Sequence, residues 1–82
     1  MDKLTQAKQV PIESLYPGQL RKVGKLLRGK CPFHSDNGNP NFFIYPETNS
    51  WYCFMERIGG DSIKYVMLLK NLDFKQALEE LT

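Results

Sequence analysis

Eighty-two residues allow one small domain, and 41% hydrophobic with 24% charged residues excludes wholesale disorder. No apolar run approaches the ~20 residues of a bilayer span, and the start MDKLTQAKQV has no signal-peptide core, so a reducing, cytoplasmic location is expected. The net charge of +2 is unevenly spread: residues 1–57 hold eight Lys/Arg against five Asp/Glu, and residues 58–82 hold three against four. Leu4 and Ala7 suggest a short first helix, which Pro11 interrupts or restarts. Pro17-Gly18 reads as a turn. From Gln19 to Lys30 the chain reads as extended, with a hairpin bend or bulge at its glycines. Five basic residues, Arg21, Lys22, Lys25, Arg28 and Lys30, fall in this stretch and could neutralise phosphates.

Ser35 to Pro40 is dense in turn formers and reads as a loop. Phe42–Tyr45 and Trp51–Phe54 then predict two strands of a hairpin. Alternation places Phe42 and Ile44 on one face and Phe43 and Tyr45 on the other. One face is core; the second exposes rings unless the N-terminal segment covers them. Gly59-Gly60 is expected to release the chain into a helix capped by Asp61 and ended by Asn71 in a left-handed conformation. Asp73 and Gln76 form a capping box for a second helix, with Phe74, Ala77, Leu78 and Leu81 as its apolar stripe. Met67, Phe74 and Leu78 are expected to pack in the core.

Cys31-x-x-His34 has the spacing at which a tight loop aims a thiolate and an imidazole at one tetrahedral ion. A domain this small commonly supplements its core with such a staple. Eighteen residues separate His34 from Cys53, which can return along the hairpin to the same end. In a reducing compartment the two cysteines are thiols or ligands rather than a disulfide. Glu56 stands where a fourth ligand belongs, and a carboxylate binds zinc at about 2.0–2.2 Å. Three alternatives stay open on the residues: a site completed by water, Asp36 or Asp61; two buried thiols without metal; and a His34 that only bonds the backbone.

Gly29-Lys30-Cys31-Pro32-Phe33-His34, Pro40-Asn41-Phe42, Trp51-Tyr52-Cys53-Phe54, Gly59-Gly60-Asp61-Ser62-Ile63 and Leu72 to Leu78 together resemble the N-terminal zinc-binding domain of bacterial and phage DNA primases. The resemblance covers roughly residues 20–82. It implies an α+β fold, a zinc ribbon whose small antiparallel sheet grips one structural zinc and is flanked by short helices. It implies Cys31, His34 and Cys53 as ligands; where that family has a fourth cysteine, this chain has Glu56. A segment 1–18 then precedes a ribbon at 19–82, within a single domain. The implied task is binding single-stranded template DNA in support of primer synthesis. Phe43, Tyr45 and Tyr52 would stack on bases, and Arg21, Lys22, Lys25, Arg28 and Lys30 would meet phosphates. The competing reading is a protein-interaction module that docks on a helicase, a polymerase or a catalytic primase subunit. One histidine, no carboxylate cluster and no phosphate-cradling loop give no constellation for catalysis, so a monomeric, non-catalytic module is expected.

Overall fold

A computed structural model describes residues 2–33 and 40–82. The chain begins with two short helices, α1 (Lys3–Lys8) and α2 (Ile12–Leu15). Asp2 caps α1 by accepting from the Thr5 N–H at 2.8 Å, and Pro11 separates the two, as the sequence implies. Five strands follow: β1 (Arg21–Val23), β2 (Leu26–Gly29), β3 (Phe42–Tyr45), β4 (Ser50–Cys53) and β5 (Ile58–Gly60). Each pairs antiparallel with the next in the order β1-β2-β3-β4-β5. A two-residue turn joins β1 to β2, and Gly24 meets its positive φ of 61° without steric cost.

Two helices close the chain, α3 (Ser62–Lys70) and α4 (Phe74–Leu81). Asp61 caps α3 and Asn71 ends it at φ 55°, ψ 51°, while Asp73 and Gln76 form the reciprocal capping box of α4. The core lies between one sheet face and the helices. Phe42, Ile44, Trp51 and Cys53 meet Ile63, Tyr65 and Val66 of α3, Ala77 of α4, and Ala7 and Ile12 of the N-terminal segment. Trp51 buries its ring and donates its indole N–H to the Asp61 carbonyl at 2.9 Å. Burial of each large side chain here contributes about 1.5–3 kcal/mol. Helix α1 packs on α3 and α4, and Tyr16, just after α2, stacks on Phe42 at 5.8 Å between centroids. That segment therefore covers the core face of the sheet and leaves the face of Phe43 and Tyr52 to solvent.

Three expectations are corrected. Gly59-Gly60 is not a release into the helix but part of β5, where Gly59 pairs with Tyr52 and Gly60 with Trp51. A Cβ on Gly59 would stand 2.6 Å from the Trp51 carbonyl oxygen and 2.7 Å from the Tyr52 ring, so close approach requires glycine there. The fourth strand spans Ser50–Cys53, and Phe54 already belongs to the following turn. Phe74 is 51% exposed, because it opens α4 directly after the cap and reaches only the rim of an apolar groove with Leu4, Ile63 and Met67. Met67 and Leu78 are partly buried against the core. No described helix is long and apolar enough to cross a membrane.

Candidate metal centre and outer sheet face

The meander brings the two cysteines to one end of the sheet. Gly29, Phe42, Cys53 and Ile58 form its last rung, and Cys31 follows two residues after Gly29. The Phe54 N–H donates to the Asn41 carbonyl at 2.9 Å and clamps the same end. Cys31 and Cys53 are buried, at 5% and 0% exposure, and are not joined by a disulfide. Their thiols lie within hydrogen-bonding reach of each other, and Glu56 is close enough for its charge to act on Cys31. Burial first, then Cys53 and Glu56, push the Cys31 thiol up to about 12, although the Phe33 N–H works the other way.

His34 and Asp36 lie outside the described residues. Among the described residues no group of three or more His, Cys, Asp or Glu is assembled to hold a metal. Asp61 stands three residues along the chain from the Ile58 end of β5, and its carboxylate accepts from the Lys64 N–H at 2.9 Å as the cap of α3. Glu56 is exposed in the four-residue turn between β4 and β5, next to Arg57 at φ 56°. The two buried thiols, with a carboxylate in electrostatic range, are donor types that zinc takes.

The opposite face of the sheet is of another character. Arg21, Arg28, Phe43, Tyr52 and Gly59 occupy one rung across all five strands. Directly paired residues share a face, so this rung points away from the core. The Arg28 guanidinium carbon sits 5.7 Å from the Phe43 ring centre, and its Nε donates to the Pro40 carbonyl at 3.0 Å. Tyr45 follows Phe43 at period two and is half-buried. Phe54, 54% exposed, meets Phe43 and Tyr52 edge to face at 5.4 and 4.8 Å. The sequence reading missed Phe54 by placing it at a strand end, although its i+2 spacing from Tyr52 gave the signal.

The remaining basic residues are differently placed. Lys22 pairs with Leu27 in the rung of Ile44 and Trp51, on the core side of the edge strand. Lys25 lies in the β1–β2 turn, 3.5 Å from Glu47 in an exposed ion pair. Lys30 follows β2, exposed, with its carbonyl accepting from the Tyr16 hydroxyl at 2.6 Å. Arg21 and Arg28 are thus the cations on the ring-bearing rung.

The family described as CHC2 zinc finger matches residues 2–82. The chain belongs to this family. Over 63 residues it is 44% identical to the DNA primase of Pseudomonas putida, spanning 77% of this chain and 9% of that protein. The DNA primase of Thermotoga maritima is 39% identical over 62 residues, 76% of this chain and 11% of its own length. That of Mycoplasma pneumoniae is 36% identical over 81 residues, covering 98% and 13%. The crystal structure of the Aquifex aeolicus primase, comprising zinc-binding and RNA polymerase domains, superposes with a TM-score of 0.84 at 31% identity. It covers 99% of this chain and 21% of that one. The chain spans about a tenth of the length of the curated relatives it matches. This CHC2 zinc finger is therefore an α+β zinc ribbon of the DNA primase type.

Proposed function

We propose that this CHC2 zinc finger binds single-stranded template DNA in support of primer synthesis, with catalysis carried by another domain or partner. The observation that supports it is the outward rung of Arg21, Arg28, Phe43 and Tyr52, extended by Phe54 and Tyr45. Rings on a solvent-facing sheet stack on unpaired bases at about 1–3 kcal/mol per base, tolerant of sequence, while the arginines meet phosphates. Lys22, Lys25 and Lys30 add long-range attraction from the sheet edge and turns. A bound zinc supplies a structural cross-link rather than chemistry. Cys31 and Cys53 would hold it, with His34 and Glu56 as the proposed third and fourth ligands. Its task is to fix the end of the sheet from which the ring-bearing strands run.

The test is titration of labelled oligothymidine by fluorescence anisotropy at rising salt. Tyr52→Ala and Phe43→Ala should each weaken binding by about 5- to 100-fold, from the stacking energies above. Binding indifferent to these changes, or absent at low salt, sinks the template reading. Retained binding to a replication protein would then favour the docking role. Elemental analysis of the wild type and of Glu56→Ala checks the metal separately.

A further inference from the structure

Beside the ring-bearing rung, a cleft of about 560 Å³ opens at the corner of the sheet where β1 begins and β2 ends. Gln19, Leu20, Arg21, Arg28, Gly29 and Pro40 line it. The two arginines stand directly opposite each other in the β1–β2 register, and both are exposed. Like charges opposed across a strand pair are destabilising. Among the described residues neither arginine has a carboxylate within ion-pair distance. The cleft therefore carries a doubled positive charge that no described side chain balances.

Arg28 is also held in place. Its Nε donates to the Pro40 carbonyl at 3.0 Å, and its guanidinium carbon lies 5.7 Å from the Phe43 ring centre. The remaining N–H groups of a guanidinium form a planar fork that matches two phosphate oxygens. We infer that this cleft seats one backbone phosphate of the bound strand, gripped by the Arg28 fork and by Arg21. The strand then crosses the sheet and lays its next bases on Phe43 and Tyr52. The inference rests on the template reading above and adds a fixed point to it: one phosphate in a set place, not diffuse attraction by the basic stretch. Arg28, Phe43 and Tyr52 occupy successive strands of one rung, at the spacing of about 4.7–4.9 Å between paired strands. A path along β1 would instead meet Lys22, on the core side, and Lys25, already paired with Glu47.

The experiment uses an oligonucleotide that is abasic except for two adjacent thymines, which fixes its register on the two rings. One linkage at a time is replaced by an uncharged methylphosphonate, and binding to the whole chain is read by fluorescence anisotropy at several salt concentrations. A single linkage beside the thymine pair should dominate, its neutralisation weakening wild-type binding about tenfold. The same replacement should not weaken Arg28→Gln further, because that variant has already lost the contact. Arg28→Lys should keep the wild-type salt dependence yet bind about tenfold more weakly, since a point charge does not reproduce the fork. Arg21→Gln, on the edge strand, repeats the cycle and should lower the salt slope by about one. Equal losses at every linkage, or a full methylphosphonate effect in both glutamine variants, overturn the seat and leave the template reading standing. Arg28→Lys that binds like the wild type overturns the seat as well. Wild-type protein that binds no unmodified oligothymidine overturns the template reading and this inference with it.

Discussion

Asn49 ties the N-terminal segment to the β3–β4 turn. At φ 50° in the β3–β4 turn, its Nδ2 donates to the carbonyls of Lys8 and Val10, both at 2.8 Å. Its Oδ1 accepts from the Ile12 N–H at 3.0 Å. One side chain thus satisfies three backbone groups between α1 and α2 that no regular element serves. Asn49→Ala should cost about 2–4 kcal/mol, since three partners lose a bond and alanine tolerates positive φ poorly. Urea unfolding followed by circular dichroism checks it; a loss below about 1 kcal/mol would mean the segment docks by apolar contact alone. Glu56 poses the same kind of question at the metal end. Glu56→Cys should raise zinc affinity at least tenfold, because a soft thiolate replaces a hard oxygen, and chelator competition measures it. No gain would place the fourth ligand elsewhere.

The elements that carry ordinary propensity were legible. Aromatic and β-branched runs announced β3 and β4, and Asp61, Asn71 and Asp73 marked the helix ends at their observed places. Strand β5 was hidden because two of its three residues are glycines, which read as punctuation. Their need is tertiary: Tyr52 leans its ring across Gly59, and the Lys64 side chain lies over Gly60. Tyr65 was likewise missed, since i+4 spacing marked its neighbours and nothing local marks a tyrosine as core. Convergence of Cys31 and Cys53 was legible from the hairpin alone, whereas the clustering of Arg21 and Arg28 with the rings needed the register. Gly59→Ala should therefore act on two levels. Its Cβ would force the β4–β5 pair apart, at about 1–3 kcal/mol, the ordinary range for overpacking. It would also displace Tyr52 and weaken oligothymidine binding, whereas a variant that is less stable but binds as before would separate the strand from the outer face.

At the scale of the whole domain, the proposed zinc ligation would set metal ions against protons at one end of the sheet. Burial raises the Cys31 thiol from 9.0 to about 12, and raises Tyr16 and Tyr65 in the same direction. A group whose folded pKa lies above its unfolded value lends stability that is complete below the unfolded pKa. That stability is lost as pH rises toward the folded one. The metal-free urea midpoint should therefore be flat at neutral pH and fall from about pH 9 upward, in the window set by Cys31. Zinc inverts the sign. Its thiol ligands must surrender protons, so affinity should climb as pH rises from about 6 to 8, and with it the stability of the loaded domain. At free zinc a hundredfold above the dissociation constant, binding adds ~2.7 kcal/mol to folding, and a chelator removes it. Denaturation with and without zinc at several pH values gives both curves. Parallel curves would mean that the buried thiols are packing residues, and that the ring-bearing face is held by the aromatic core of Phe33, Phe42, Trp51 and Tyr65 without an ion.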